Sequence, residues 1–437
     1  MKKISMLLLL GSITTVSFAQ DIDKIINAKE VERIERILSA DDMEGRRVFT
    51  PGIEKAAAFI ADEFKKTGLQ TVNNSGSYLQ PFSIFRPKMI SSSTIVNGAA
   101  VEAKDIAIIT NKEDFKITEK SGFEKSTIQA GTNLSLEVAK YFNAKKNCLV
   151  LVDTSFTKTF AQALGRAKST VYKSDYSVVF VLYAGDAQTY SIEAKYEFTE
   201  QKLANVVGIL PGKSKKNEYI IFGGHYDHLG IQSKDRQGNV LTDSIFNGAN
   251  DDAAGTTAVM MLAKYFKAIN NNERTLIFVA FTGEEAGAFG STYFSRQYNP
   301  DAVMAMFNIE MIGTESMWGK NSAYITGYDK SDMGKMMQAN LAGSGFEFHP
   351  DPYTSQGLFL RSDNATLARL GVPAHTISTA KMENPPEPNY HKASDEIGTL
   401  DMENMARIIK SIAISSSGFV SGKQTPSRVN PLDAMRR

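Results

Sequence analysis

The chain has 437 residues, of which 42% are hydrophobic, so it is long enough for more than one domain with a buried core. Its 49 Lys and Arg residues balance 48 Asp and Glu residues, and no basic helix or arm occurs, which argues against a nucleic acid partner. The single cysteine, Cys148, cannot form an intramolecular disulfide, and its place in the apolar run 148–152 predicts a buried strand.

Residues 1–19 have the pattern of an export signal. Lys2 and Lys3 precede the apolar run 6–10, and small residues follow at 17–19, where a signal peptidase cleaves. The apolar run is too short to cross a bilayer. We therefore expect a mature protein that begins near Gln20, has no membrane span, and is periplasmic or secreted.

Residues 20–85 predict a pair of helices that form the N-terminal part of the main domain. Apolar residues recur at roughly helical spacing over 21–38. A second helix is expected to begin at Thr50 and Pro51, a capping residue followed by a residue that suits the first turn, and to end at Gly68. The charged loop 42–47 between the helices is expected to be solvated and hydrogen-bonded.

Residues 86–200 have a different character. Short runs rich in β-forming residues occur at 105–110, 148–153 and 176–183, polar spacers separate them, and no histidine is present. This pattern predicts a separate β-rich domain inserted into the main one. From residue 201 to 437, strands alternate with helices, which predicts an α/β fold with a mixed, mostly parallel sheet sandwiched by helices.

Residues capable of metal chemistry follow the predicted strands of this second part. His225 and Asp227 come after the apolar strand 219–222 and two glycines, at the sheet edge where open α/β folds place their ligand sites. The other candidates stand in comparable positions: Asp251 and Asp252 before a helix, Glu284 and Glu285 after a buried strand, Glu310 after a third strand, and His391 after a Pro-rich loop. Each has a plain structural explanation alone, but adjacent carboxylates beside two histidines are costly without cations.

In order and spacing, these motifs resemble the co-catalytic dizinc aminopeptidase family, whose relatives include bacterial leucyl aminopeptidases, glutamate carboxypeptidase and glutaminyl cyclase. The resemblance covers Asp42–Leu69 and nearly all of Ala204–Ser417, and it implies that the insert is a protease-associated domain. It also implies two zinc ions, which Asp251 bridges. Glu285 and His391 complete one ion, while His225 and Glu310 complete the other.

The resemblance assigns the catalytic roles as well. Glu284 corresponds to the general base, Asp227 to the partner of His225, and Asp252 to the residue that follows a cis peptide bond. Glu310 departs from the family, which more often has aspartate there; we expect it to bind zinc still. The implied reaction is removal of single residues from peptides with a free N-terminus, by a water held between the ions.

Two other functions fit the same scaffold. A glutaminyl cyclase uses one zinc ion for acyl transfer without water, and some receptors keep the fold without metals. The full set of five candidate ligands favours hydrolysis over both. Three further histidines receive no metal role: His228 is expected to be a hydrogen-bonded pocket residue, His349 to lie in a polar loop, and His375 to lie in a strand.

Overall fold

The computed structural model describes residues 22–142, 145–234, 238–383 and 385–434. The export signal expected at residues 1–19 lies outside these residues. Within them, no helix is long and apolar enough to cross a membrane.

Helices and strands occur throughout the described chain. The α-helices are α1 (Ala28–Leu38), α2 (Pro51–Thr67), α3 (Leu134–Phe142), α4 (Phe160–Ser169), α5 (Ala254–Ile269), α6 (Phe289–Ser295), α7 (Met333–Asn340), α8 (Asn364–Ala368), α9 (Met402–Ser415) and α10 (Ser417–Val420). The strands are β1 (Leu79–Val96), β2 (Ala99–Ala100), β3 (Ile106–Ile109), β4 (Asp114–Thr118), β5 (Glu124–Ile128), β6 (Cys148–Val152), β7 (Val171–Tyr172), β8 (Val178–Leu182), β9 (Tyr190–Leu210), β10 (Lys215–His225), β11 (Gly230–Ile231), β12 (Ile245–Phe246), β13 (Arg274–Phe281), β14 (Val303–Ile309), β15 (Ser322–Ile325), β16 (Glu347–Pro350) and β17 (Ala374–Ser378).

The chain forms two compact units. One comprises the described residues of Met1–Gln80 and Ala204–Arg437, and the other comprises Pro81–Leu203. The first unit is built on a sheet with the strand order β16-β15-β17-β14-β10-β13-β9. Strand β10 is parallel to both β13 and β14, β14 is parallel to β17, and the antiparallel pairs are β9 with β13 and β15 with β17. The predicted mixed, mostly parallel sheet is confirmed.

Helices cover both faces of this sheet. Successive residues of a strand point to opposite faces, so neighbouring residues contact different helices. Phe222 of β10 joins a hydrophobic cluster with residues of α1, α2, α5 and α9. Its neighbour Ile221 joins the opposite cluster, which includes residues of α6 and α8. The helix predicted from Pro51 ends at Gly68 as expected, with φ of 76°, but Thr50 does not cap it, because its hydroxyl donates a hydrogen bond to the carbonyl of Arg47.

The second unit contains a sheet with the strand order β3-β8-β6-β5. The strands predicted at 105–110, 148–153 and 176–183 are present as β3, β6 and β8, and Cys148 is buried in β6. The sequence did not predict helices α3 and α4, which pack Val138 and Leu164 against one face of this sheet. Both helices are short, and their few apolar residues did not stand out from the polar spacers.

Candidate metal centre

Three strands carry candidate ligands to one edge of the sheet in the first unit. Strand β10 ends at His225, β13 ends four residues before Glu285, and β14 ends one residue before Glu310. Because β10 is parallel to both neighbours, the carboxyl ends of all three strands meet at this edge. Asp251, in the segment before α5, and His391, in the loop after β17, complete the group.

Asp251 is buried and lies between two groups of side chains. Its Oδ1 is 3.2 Å from His225 Nε2, which in turn is 3.3 Å from Glu310 Oε1. Its Oδ2 is 3.0 Å from His391 Nε2, which in turn is 3.0 Å from Glu285 Oε1. The structure therefore brings together all five residues predicted as metal ligands, with one carboxylate shared between two clusters.

A sixth side chain, His228, joins the second cluster. Its Nδ1 lies 3.1 Å from Glu285 Oε1 and 4.0 Å from Asp251 Oδ2. The expectation that His228 is hydrogen-bonded is wrong, because among the described residues neither ring nitrogen has a hydrogen-bond partner. The spacing of three residues after His225 is a sequence signal for a second histidine near the same edge.

The charges of the centre call for cations. In the metal-free protein, burial and the charge of Asp251 oppose ionisation of Glu285, but the adjacent imidazoles of His228 and His391 outweigh them and lower the pKa of Glu285 to about 2. Among the described residues, Glu285 Oε1 is nevertheless buried without a well-aligned hydrogen bond. A buried ionised oxygen with two imidazole nitrogens at 3.0 and 3.1 Å fits a position meant for a metal ion. The mixture of imidazole and carboxylate donors suits zinc.

Glu284 lies beside this centre, half-buried, in the turn after β13. Burial raises its pKa well above the usual carboxyl range, and the negative charges of Asp363 and Glu310 act in the same direction. Cations at the centre would lower this pKa, because they favour the charged form.

Comparison with known proteins gives a family match for the part of the chain that holds this centre. Residues 205–415 match the model of peptidase family M28. The family resemblance predicted from the motifs is thereby confirmed.

Individual relatives agree with this match. A probable leucine aminopeptidase of Trichophyton verrucosum is 27% identical over 209 residues, covering 46% of this chain and 53% of that protein. A probable zinc metalloprotease of Pyrenophora teres f. teres is 32% identical over 136 residues, covering 31% of this chain and 26% of that protein. The aligned regions thus span only about a quarter to a half of these relatives.

Solved structures share the fold. A zinc aminopeptidase from Bacillus subtilis superposes with a TM-score of 0.54 at 17% identity, covering 92% of this chain and 98% of that chain. An aminopeptidase from Aneurinibacillus sp. strain AM-1 superposes with a TM-score of 0.52 at 18% identity, covering 94% and 96%. At these identities, the likeness establishes a common architecture.

Two buried aspartates, Asp227 and Asp252, hold the backbone of the first unit around the centre. Asp227 was expected to accept a proton from His225 through its carboxylate. Instead, His225 Nδ1 lies 3.0 Å from the Asp227 backbone carbonyl, and the Asp227 carboxylate accepts hydrogen bonds from the backbone N–H groups of Glu284 and Glu285. Because residues 225 and 227 are only two positions apart, the backbone carbonyl of Asp227 is better placed than its carboxylate to contact the His225 ring. The carboxylate lies 3.7 Å from Nδ1 and instead stabilises the turn that contains Glu284 and Glu285.

Asp252 has a similar supporting position. Its carboxylate accepts hydrogen bonds from the backbone N–H groups of His225, Gly255 and Met311. The peptide bond between Asp251 and Asp252 is cis, as the resemblance implied. Asp252 thus connects the ends of β10 and β14 to the start of α5, while Asp251 faces the histidines.

Arg46 is a residue whose role the sequence did not reveal. Loop 42–47 was expected to be solvated, but the Arg46 side chain is fully buried. Its guanidinium donates hydrogen bonds to the carbonyls of Leu38, Tyr226, Asn247 and Gly248, so it fixes the segments that carry His225 and Asp251. Asp395 acts on the second segment too, because its carboxylate accepts hydrogen bonds from the N–H groups of Asn250 and Asp251.

A pocket opens beside Glu310. The hydroxyl of Ser362 donates a hydrogen bond of 2.7 Å to Glu310 Oε2, and the ring of Tyr390 stacks on His391 with centroids 4.0 Å apart. Ser362 and Tyr390 line the pocket together with Tyr324, Arg361 and Met382. The extra methylene of Glu310, compared with aspartate, leaves its Oε1 facing His225 and its Oε2 facing Ser362.

The last two histidines lie away from the centre. His375 is buried in β17, where its ring nitrogens face the hydroxyl of Ser331 and the carbonyl of Thr326. Burial lowers the pKa of His375 to about 4, so it is neutral at physiological pH. His349 lies in the short strand β16, in contrast to the predicted loop, and its ring stacks on Trp318.

Proposed function

We propose that this protein is an exported, zinc-dependent aminopeptidase that removes single residues from peptides with a free N-terminus. The observation that carries the proposal is the position of Asp251, one carboxylate between two clusters of imidazole and carboxylate donors. The M28 match and the aminopeptidase names of its relatives support the same reaction class.

The chain's own residues have distinct parts in the proposed mechanism. His225 and Glu310 would hold one zinc ion, Glu285 and His391 would hold another, and Asp251 would contact both. Zinc bound there supplies a Lewis acid that polarises a scissile carbonyl and lowers the pKa of water. This ligand set, with a general base beside it, favours hydrolysis over cyclisation.

Glu284 is the proposed general base. Its carboxylate takes the proton of the attacking water and delivers it to the departing amine, a role that calls for a side chain beside the reacting atoms. Asp227 is a positioning residue, since its carboxylate accepts hydrogen bonds from the backbone N–H groups of both Glu284 and Glu285. These bonds orient the proposed base, Glu284, relative to the proposed zinc ligand, Glu285. The surrounding carboxylates favour binding of the protonated N-terminus of a peptide.

Two further proposals concern the rest of the chain. We propose that residues 1–19 are a signal peptide that directs the protein to the periplasm or outside the cell, on the basis of the basic start, short apolar run and small residues of that segment. We also propose that the insert, residues 86–200, is a protease-associated-like domain. Its sequence contains no histidine, and in the sequence it lies between the two parts of the main domain; both features support this assignment.

A pair of matched substitutions tests the mechanism. Glu284→Gln keeps the size of the side chain but cannot accept a proton, so turnover should fall by ~10²–10⁴-fold while zinc content stays near that of the unmodified protein. Glu285→Gln, at the neighbouring position, should lose zinc first and activity as a consequence. Zinc analysis and hydrolysis of unblocked and N-acetylated peptides provide the measurements. High turnover by zinc-loaded Glu284→Gln, or equal cleavage of the acetylated peptide, would contradict the mechanism.

A further inference from the structure

The two clusters that share Asp251 differ in their number of donors. On the Oδ1 side stand His225 and Glu310, which with Asp251 give three donor residues. On the Oδ2 side stand Glu285 and His391, and His228 stands there as well. With Asp251, this second cluster has four donor residues.

The geometry of His228 is that of a metal ligand. Its Nδ1 and His391 Nε2 approach the same oxygen, Glu285 Oε1, at 3.1 and 3.0 Å. Glu285 Oε1 and His228 Nδ1 are both buried, and neither has a well-aligned hydrogen bond among the described residues. The two atoms are therefore close without an N–H of the ring directed at the oxygen. In a tetrahedral zinc site with bonds of about 2.0–2.2 Å, neighbouring donor atoms are about 3.3–3.6 Å apart. The separations of 3.0 and 3.1 Å to Glu285 Oε1 and of 4.0 Å from His228 Nδ1 to Asp251 Oδ2 lie on either side of this range, as expected of donors that face a common point.

The surrounding backbone fixes His228 in this position. Its N–H donates a hydrogen bond to the carbonyl of Arg46, the residue whose guanidinium holds Gly248. The imidazole lies directly against Gly248, where an added Cβ would be only 2.4 and 2.5 Å from two ring carbons. Gly248 has φ of +57°, so glycine suits both the backbone conformation and the approach of the ring. The ring is thus packed in place facing Glu285.

We propose that His228 is a zinc ligand, which gives the cluster of Glu285 and His391 four protein donors. The inference rests on the proposed zinc function and deepens it. Four protein donors fill a tetrahedral site, whereas three leave a position open. The cluster of Glu285 is therefore the tighter, closed site, and the cluster of His225 keeps the open position at which water or a substrate carbonyl binds. Water would then bind at the His225 cluster, in place of the water held between the ions that the resemblance implied. Zinc fills the closed site first.

Nitrogen NMR of the metal-free protein during zinc titration tests this inference without a mutation. The chain has only five histidines, so selective ¹⁵N labelling of histidine resolves each ring. We expect the first equivalent of zinc to shift the ring nitrogens of His228 and His391 and the second to shift those of His225. His349 and His375, outside the centre, are internal controls and should not shift.

The outcomes separate the two proposals. Shifts of His225 and His391 alone would overturn the role of His228 and leave the proposed function intact. A shift of His225 with the first equivalent would overturn the asymmetry of the sites. If zinc shifts none of the three, the proposed function fails, and the inference fails with it.

A substitution provides a second measurement. His228→Asn keeps an N–H donor near the position of Nδ1, so it could donate a hydrogen bond to Glu285 but could not form the proposed metal bond. Loss of a residue that merely supports a ligand typically costs about 10–100-fold in metal affinity. We expect His228→Asn to weaken binding of the first zinc, measured by competition with a chelator, by more than about 100-fold. His349→Asn is the matched control and should bind as the unmodified protein does. A smaller loss in His228→Asn would overturn the inference.

Discussion

Arg46→Met should destabilise the first unit severely, because the Arg46 guanidinium joins separate segments of the centre. Nη1 donates hydrogen bonds of 2.6 Å to the carbonyls of Leu38 and Asn247, while Nε and Nη2 donate bonds of 2.8 Å to those of Tyr226 and Gly248. Methionine has similar length and no donor, so all four buried carbonyls would lose this partner.

The size of the effect follows from these bonds. The carbonyl of Gly248 keeps the N–H of Ala253 as a donor, which leaves the carbonyls of Leu38, Tyr226 and Asn247. A buried polar group left without its partner costs about 1–3 kcal/mol, so even the lower end gives a loss of about 3 kcal/mol for these three. Removing the buried guanidinium also relieves its desolvation, but Asp227, Asp251 and Asp395 lose a compensating charge at the same time. A loss of about 3 kcal/mol is a large share of the roughly 5–15 kcal/mol that stabilise a typical domain.

Urea unfolding of the chelator-treated protein measures this loss. The single tryptophan, Trp318, lies in the first unit, so its fluorescence follows the unfolding of that unit. Arg47→Met is the matched control: Arg47 is exposed, and such surface changes usually stay within about 0.5 kcal/mol. If Arg46→Met costs less than about 1 kcal/mol more than Arg47→Met, the reasoning about the buried carbonyls is wrong.

Three other predictions concern the centre and the chain start. Glu310→Ala should lower zinc content from two ions toward one and greatly reduce activity; unchanged zinc content and rate would show that its carboxylate is not a ligand. In the metal-free protein, burial disfavours the charge on His391, but Asp251 and Glu285 outweigh burial and raise its pKa to about 9. Zinc must therefore displace a proton from His391 at pH 7, so the affinity for zinc should rise with pH up to about 9. Calorimetry in buffers of different ionisation enthalpy should detect the released protons. A zinc affinity that does not change with pH would contradict this prediction. Mature protein from its native compartment should begin near Gln20, and material that retains Met1 would contradict export.

The sequence predicts those parts of the centre that depend on local pattern. Strands β10, β13 and β14 are apolar runs followed by polar residues, so their ends, and with them His225, Glu285 and Glu310, could be placed at one sheet edge before the structure was known. The sheet itself follows from the alternation of strands and helices. Glycine and proline signals bounded α2 correctly.

Contacts between segments that are distant in the sequence could not be predicted from local pattern. Arg46 reaches carbonyls 180 to 202 residues away, and nothing in the charged loop 42–47 distinguishes its side chain from the exposed Arg47. His228 is similar, because its approach to Glu285 depends on the close packing of its ring against Gly248. The partner of His225 differs for a local reason: the backbone carbonyl of Asp227 is better placed than its carboxylate, a choice that spacing alone does not resolve.

The central claim is that Asp251 joins two zinc sites in one centre, and native mass spectrometry of the purified, zinc-saturated protein tests it most directly. The measurement counts the ions that each folded chain retains, alongside Asp251→Asn as the variant that lacks the shared carboxylate charge. We expect two zinc ions per chain for the unmodified protein and fewer for the variant. One ion or none in the unmodified protein, or an unchanged count in Asp251→Asn, would contradict the claim.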